Sequence, residues 1–308
     1  MVSACNPELP AFYTDVPKFR GWIDERDRII GERNLLKESS CGEVRKNNVT
    51  NEIDKAVVNQ YPWNVLLEYT RTKKDSKEQL LTCSGVLIHP RYVLTVGHCA
   101  TGMLSKYKLS SVRVGEFNIN TQEDVDSSVP GKIFTSQSID IEKILPHPQM
   151  NKPLYSNDLA LIKLKHEAGT GKENVLPICL PSVDEYKEEG LTLTGWKRSK
   201  RLFPKLEQDA MNISSAAQCQ SQYNALQLNL PSTDDMMCAS YRSRMKGRCH
   251  NYAAGSTLQY TKTVDQTERF FLAGLMMFSL PYCRVNATEV FATLVGSTEW
   301  IKSTVLSS

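Results

Sequence analysis

The chain of 308 residues lacks the features typical of a membrane protein or a nucleic-acid-binding protein. No apolar run reaches the roughly 18–20 residues that span a bilayer, and the longest candidate, residues 270–281, is better interpreted as a buried strand. A net charge of only +3 favours neither nucleic acid nor a membrane surface as a partner. Residues 1–13 show no basic segment followed by an apolar one, so the sequence predicts no secretory signal.

CxxC pairs and low-complexity segments are also absent, although there are nine cysteines. Without CxxC pairs a zinc site is not expected. Three N-x-S/T sequons, at Asn48, Asn212 and Asn286, favour an oxidising compartment together with the cysteines. We therefore predict an extracellular glycoprotein, and the missing signal suggests that this chain begins partway through a longer product.

Short apolar segments recur along the chain and are separated by Gly, Pro, Asn and Asp. Many of their residues are β-branched or aromatic, which is typical of an all-β barrel or sandwich. Helical patterning is confined to residues 216–226 and 297–305. The predicted strand segments are 63–69, 83–88, 92–96, 112–115, 159–164 and 191–196.

Two segments, one near each end of the chain, share the same landmarks. Cys5 and Trp22 lie 17 residues apart, as do Cys283 and Trp300, and in each copy an aromatic residue follows the cysteine by eight positions. The shared register predicts an internal repeat rather than a coincidence.

Several motifs, in one order, resemble those of trypsin-like serine proteases. Residues 81–88 and 92–99 read LTCSGVLI and YVLTVGHC, which resemble the CGGSLI and VLTAAHC strands around the catalytic histidine of that family. Residues 157–164 read NDLALIKL and resemble its NDIALL motif, which carries the catalytic aspartate. The family's YPW motif stands upstream at 61–63, and its PICLP and TGW motifs follow downstream at 177–181 and 194–196.

The resemblance covers about residues 41–308, and residues 112–117, VRVGEF, are most similar to the arthropod clip-domain branch. It implies an all-β fold of two six-stranded antiparallel barrels with a short C-terminal helix. In a Ser–His–Asp triad, a histidine takes the serine proton and a buried aspartate orients that histidine. The resemblance assigns these roles to His98 and Asp158.

The segment that should carry the nucleophile departs from the family pattern. The family reads CxGDSGGP, whereas residues 249–256 read CHNYAAGS. Ala253 stands at the serine position and has no nucleophilic atom. Asn251 replaces a glycine of the oxyanion hole, and Tyr252 replaces the aspartate that pairs with the new N-terminal amine after activation cleavage.

The activation site and the pocket depart as well. Residues 49–53 contain neither a basic residue to cut after nor the Ile-Val-Gly-Gly sequence of the family. The position that selects basic substrates falls at Gly247, and the SWG wall reads Met277, Phe278 and Ser279. We therefore expect that a basic substrate side chain meets no carboxylate there, and that peptidase activity is absent.

The resemblance also pairs eight cysteines and gives the ninth an origin. The implied disulfides are Cys41–Cys179, Cys83–Cys99, Cys219–Cys238 and Cys249–Cys283. Residues 5–23 resemble the C-terminal tail of the same family, so residues 1–30 are predicted to be the remnant of a preceding protease-like domain. Residues 31–49 would form a linker that carries Cys41, and residues 50–308 the protease-homologue domain.

Other interpretations of these residues remain open. His98 and Asp158 could persist as a hydrogen-bonded core pair, or join His250 in a metal site. Ser256 could act as a shifted nucleophile after a three-residue insertion. The basic residues of 197–201 and of 242–248 are either solvated loops or contacts for an acidic partner.

We predict a non-catalytic homologue that binds other secreted proteases or cascade proteins, in arthropod immunity or melanisation by resemblance. It would need no cofactor or metal, and would bind neither nucleic acid nor a membrane. The alternatives are an active trypsin-like endopeptidase that uses Ser256, and a decaying gene product.

Overall fold

The computed structural model of the chain describes much of residues 41–308, and most of its elements are β-strands. The described ranges are 41–43, 55–72, 79–102, 105–126, 129–170, 172–181, 190–198, 202–225, 227–228, 230, 234–242, 251–278, 288–294 and 296–306.

The strands follow one another with short connections. They are β1 (Asn64–Arg71), β2 (Gln79–His89), β3 (Tyr92–Thr95), β4 (Tyr107–Val114), β5 (Glu123–Val125), β6 (Ile133–Thr135), β7 (Gln137–Pro146), β8 (Ala160–Leu164), β9 (Leu191–Arg198), β10 (Leu202–Ser214), β11 (Met236–Tyr241), β12 (Thr257–Val264), β13 (Thr267–Phe278) and β14 (Thr288–Thr293). The described helices are α1 (Gly97–Ala100), α2 (Ala216–Asn224) and α3 (Thr298–Leu306).

Twelve of the strands close into two barrels. The first barrel has the order β1-β2-β3-β8-β7-β4, and the second has the order β10-β11-β14-β13-β12-β9. Every neighbouring pair is antiparallel, while β5 and β6 form a separate two-stranded hairpin. The predicted all-β fold of two six-stranded barrels is confirmed.

One apolar core joins the two barrels. Trp63 is fully buried, and its indole N–H donates to the Gln259 side chain of β12 at 2.7 Å. Its ring centroid lies 5.3 Å from that of Phe270 in β13. Aromatic contacts of this kind contribute about 0.5–1.5 kcal/mol beyond their buried area. The YPW motif therefore stabilises the barrel–barrel contact.

The two predicted helices are confirmed with small shifts of their ends. The Ser215 hydroxyl caps α2 by accepting from the backbone N–H of Gln218. The helix ends two residues earlier than predicted, and Gln227 then adopts a left-handed φ of 61°, which does not continue a helix. None of the described helices is long and apolar enough to cross a membrane.

The segment before the first barrel is attached to the second barrel. A disulfide joins Cys41 to Cys179, and the backbone N–H of Phe270 donates to the Gly42 carbonyl at 2.7 Å. Gly42 has a φ of 59°, and a Cβ atom there would lie 2.1 Å from the Phe270 carbonyl oxygen, so glycine is required. Residues 1–40 lie outside the described residues, and the predicted domain boundaries stay predictions.

Candidate active site

His98 and Asp158 form a hydrogen-bonded pair at one edge of the first barrel. His98 lies in α1, directly after β3, and Asp158 lies two residues before β8. The side chains meet because β3 and β8 are antiparallel neighbours, with Thr95 opposite Ala160. Nδ1 of His98 lies 2.6 Å from Oδ2 of Asp158, and the His98 backbone N–H donates to Oδ1 at 2.8 Å.

The pair combines an accessible imidazole with a buried carboxylate. The side chain of His98 is 27% exposed, whereas that of Asp158 is 5% exposed. A buried carboxylate needs hydrogen-bond donors, and His98 supplies one to each of its oxygens. A carboxylate in this position fixes the orientation of the imidazole. The first barrel therefore retains a histidine oriented for proton transfer.

Gly97 marks a local departure from the family's histidine motif, which has alanine there. A Cβ atom at Gly97 would lie 2.6 Å from the Met150 sulfur and 3.0 Å from Oδ1 of Asp158. Met150 thus occupies the space that an alanine methyl group would need. The glycine of the VGHC sequence is the only sign of this contact in the motif.

Segment 251–256 runs from the second barrel to the first. The Ser84 backbone N–H donates to the Ala254 carbonyl at 2.7 Å. Gly255 has a φ of 84°, and a Cβ atom there would lie 1.8 Å from the Ser84 carbonyl oxygen. The residue before Ser84, Cys83, forms a disulfide with Cys99, which follows His98. These contacts attach segment 251–256 to the loop that carries His98.

Ala253 is fully buried within that segment. Its backbone N–H donates to the Trp196 carbonyl of β9 at 3.0 Å, so the position is fixed against the second barrel. A methyl side chain offers no atom that could attack a carbonyl carbon. The site consequently holds an oriented base and no nucleophile at the predicted serine position.

Ser256 lies in the interior of the second barrel. It is fully buried, and its hydroxyl has no hydrogen-bond partner among the residues that the structure describes. A Cβ atom at Gly195 would lie 2.2 Å from that hydroxyl oxygen, so Ser256 packs directly against the β9 backbone. A nucleophile must lie within hydrogen-bond reach of its base. Ser256 makes no such contact with His98.

Tyr252 contributes to a buried polar cluster between β9 and β10. Its hydroxyl donates to Oδ2 of Asp209 at 2.9 Å. The ammonium of Lys197 lies 2.9 Å from the same oxygen, 2.7 Å from Oε2 of Glu207 and 5.2 Å from the centre of the Tyr252 ring. We name Lys197, Glu207, Asp209 and Tyr252 the Lys197 cluster. From the sequence, Tyr252 was identified and Lys197 was noted only as part of the basic run 197–201, whereas here it is buried in β9 and paired with two carboxylates. Glu207 and Asp209 were not anticipated.

Electrostatics fix the protonation states within the Lys197 cluster. Burial lowers the pKa of Lys197, but Asp209 and Glu207 outweigh that effect and raise it overall. Burial, and then the Asp209 charge, raise the pKa of Tyr252 well above its usual value. The lysine therefore stays charged and the phenol stays protonated, so both donate to Asp209.

The described residues of the predicted oxyanion position and pocket wall are Asn251, Met277 and Phe278. The Asn251 side-chain amide donates to the Arg198 carbonyl at 2.8 Å. Met277 is buried in β13, and Phe278 makes ring contacts with Tyr155 and Tyr223 at 5.6 and 5.7 Å. The other predicted pocket residues, Gly247 and Ser279, lie outside the described residues, as does His250.

Strand β14, which pairs with the described part of the pocket wall, carries a buried carboxylate. Glu289 of β14 is 4% exposed, and the residue after it, Val290, is paired with Phe278. Burial raises the pKa of Glu289 to about 8, partly offset by the Tyr241 hydroxyl. The carboxylate comes from β14 rather than from the region of Gly247, which is why it was missed. The signal was present, because Glu289 stands at the glycine of the family's PGVYT tail.

Three of the four implied disulfides are formed by described residues. They are Cys41–Cys179, Cys83–Cys99 and Cys219–Cys238. Both partners of Cys249–Cys283 lie outside the described residues, as do the sequons at Asn48 and Asn286. Asn212 is exposed on β10, and its side-chain oxygen accepts from Arg242 at 3.2 Å.

An open cavity of about 480 Å³ lies elsewhere, between β4 and the β5–β6 hairpin. It is polar, with Arg113, Asn120, Thr121, Gln122 and Ser136 among its lining residues, and it includes none of the predicted site residues. The described residues contain no group of three or more His, Cys, Asp or Glu that could hold a metal ion.

Comparison with curated proteins places the chain among insect proteases. It is 29% identical to "Serine protease ea" of Drosophila melanogaster over 87% of this chain and 70% of that protein. It is 30% identical to the Spaetzle-processing enzyme of the same species, over 79% and 63%. It is 28% identical to phenoloxidase-activating factor 1 of Holotrichia diomphalia, over 90% and 75%. The chain thus spans roughly two thirds to three quarters of these relatives.

Comparison with solved structures shows a shared fold. The Drosophila Grass clip serine protease of the Toll pathway superposes with a TM-score of 0.73, over 89% of this chain and 77% of that chain, at 24% identity. The family model described as Trypsin matches residues 51–301, which include both barrels and the His98–Asp158 pair. The chain belongs to the trypsin family of serine proteases and is similar to the clip-domain serine proteases of insects.

Proposed function

We propose that this chain is a non-catalytic serine protease homologue that binds other proteins of an extracellular protease cascade. Ala253 is the observation that carries this proposal, because the position that should hold the nucleophile is a buried methyl group. Losing a triad nucleophile costs about 10⁶ in kcat. The burial of Ser256 against Gly195 supports the same conclusion.

Its relatives support a place in a cascade. One is named for processing Spaetzle, another for activating phenoloxidase and a third, Melanization protease 1, for melanisation. The disulfides formed by described residues favour an oxidising, extracellular compartment. The partners of this homologue would therefore be other secreted proteases or their substrates, in arthropod immunity.

Catalysis is tested with a fluorophosphonate probe, which labels activated serines. We expect no labelling of the folded protein and no cleavage of peptide substrates, with trypsin as the positive control. Labelling that disappears in Ser256→Ala would instead establish the endopeptidase alternative. The Ser214→Ala variant is the matched control, because Ser214 is also a buried serine.

Binding is tested by affinity capture from insect plasma, with the partners identified by mass spectrometry. The reduced and alkylated protein serves as the control bait, because it has the same composition without the fold. We expect trypsin-family proteases to be enriched on the folded bait. Enrichment of chaperones alone would contradict a role in a cascade.

A further inference from the structure

One residue of the Lys197 cluster stands at a position that the resemblance assigns to the family's activation ion pair. Tyr252 stands at the position of the family's activation aspartate, and its side chain is buried. An amine created by chain cleavage would find no carboxylate at residue 252. The carboxylate of the cluster comes instead from Asp209 in β10, and the cation comes from Lys197 in β9.

The cluster is complete without any chain terminus. Asp209 is 2% exposed, and a buried carboxylate must be paired to be stable. Its Oδ2 receives both the ammonium of Lys197 and the hydroxyl of Tyr252, each at 2.9 Å. Glu207 holds the ammonium from the other side at 2.7 Å. Every one of these groups belongs to the continuous chain.

Backbone hydrogen bonds extend this attachment along segment 251–256. The Arg198 N–H donates to the Asn251 carbonyl at 2.7 Å, next to Lys197 in sequence. Further along, the Gly255 N–H donates to the Met276 carbonyl at 2.7 Å. With the Ala253 and Ala254 bonds already described, the segment contacts β9, β13 and the first barrel. Its conformation is therefore defined within the uncut chain.

We infer that the Lys197 cluster replaces the activation ion pair. The conformation of segment 251–256 is then set in the intact chain and does not depend on cleavage before residue 50. This inference rests on the proposed function, because it concerns how the proposed non-catalytic homologue is regulated. It implies that partner binding is controlled by the supply of the protein or of its partner.

Cleavage is tested in a variant in which residues 46–49 are replaced by Ile-Glu-Gly-Arg, so that factor Xa cuts before Thr50. Hydrogen exchange of peptides covering 251–258 is measured before and after cutting, with the treated wild-type chain as control. We expect protection of the Ala253 and Gly255 amides to change by less than about twofold. A rise of tenfold or more on cutting would overturn the inference.

The cluster is tested by Lys197→Met and Tyr252→Phe in the uncut chain. Lys197→Met removes the Lys197 ammonium from the buried Asp209 carboxylate, and we expect exchange of these amides to accelerate about 100-fold. Tyr252→Phe removes one hydrogen bond to a charged group, and we expect about a tenfold acceleration. Lys205→Met, an exposed lysine of β10, is the control and should have no effect.

The outcomes separate this inference from the proposed function. Wild-type exchange rates in both cluster variants would overturn the inference, and if Lys197→Met does not fold, Tyr252→Phe decides alone. None of these measurements requires a partner or a substrate. A failed plasma capture would therefore count against the proposed function and leave the inference standing.

Discussion

The two barrels contribute unequal halves to the candidate site. In the first barrel, His98 keeps an imidazole 2.6 Å from a buried carboxylate, as proton transfer requires. In the second barrel, the nucleophile position is a methyl group, and residue 252 belongs to an internal polar cluster. The first half is held by strand pairing that the fold needs in any case. The second half depended on side chains that only catalysis and activation require.

The largest effect is expected from removing the central carboxylate of each half. Asp209→Ala leaves the Lys197 ammonium with Glu207 alone, and should lower the free energy of unfolding by about 3–5 kcal/mol. Asp158→Ala leaves a half-buried imidazole without this hydrogen-bond partner, and should cost about 1–3 kcal/mol. Urea denaturation of both variants gives the two values. A larger loss for Asp158→Ala would reverse the comparison.

Glu289 of the second barrel should make the free energy of unfolding depend on pH. Its pKa is raised from 4.5 to about 8 in the folded chain, so the folded state binds the proton more tightly than the unfolded state. The raised pKa contributes to the free energy of unfolding. This contribution is fully present below pH 4.5 and is lost as the pH rises through 8. Because each pKa unit corresponds to about 1.4 kcal/mol, the loss amounts to several kcal/mol.

Glu289→Gln removes this titration and keeps the shape of the side chain. We expect similar unfolding free energies for both proteins at pH 5, and a more stable Glu289→Gln variant at pH 9. Urea denaturation between pH 5 and pH 9 measures both. Parallel pH profiles would show that Glu289 has the same pKa in the folded and the unfolded chain.

Sequence motifs predicted the first half of the site more completely than the second. His98 and Asp158 stand in continuous motifs on paired strands, so their meeting follows from strand order. Lys197 and Asp209 carry no motif, because their role depends on a register in which β9 and β10 bring distant residues together. Glu289 stands at the glycine of the family's PGVYT tail, but its burial is a property of packing, which a charged residue in a sequence does not reveal.

A smaller effect is expected at Gly97, where the first half departs from its family. Gly97→Ala introduces a methyl group 2.6 Å from the Met150 sulfur, so that side chain must move. Overpacking of this kind costs about 1–3 kcal/mol, and the lower end is expected because a methionine is flexible. Thermal unfolding should show the loss, and adding Met150→Ala should recover part of it. Full tolerance of Gly97→Ala alone would show that the site is loosely packed.

The smallest effect is expected from restoring the serine. Ala253→Ser returns a hydroxyl to the nucleophile position of the family. Asn251 and Tyr252 still replace the oxyanion glycine and the activation aspartate. Correct orientation of every member is needed, because triad residues act as a unit. We expect no cleavage of peptide substrates by Ala253→Ser and no labelling by a fluorophosphonate. Cleavage by Ala253→Ser that is abolished when His98→Ala is added would contradict this expectation. It would show that the second half lacks only the serine hydroxyl and keeps its catalytic geometry.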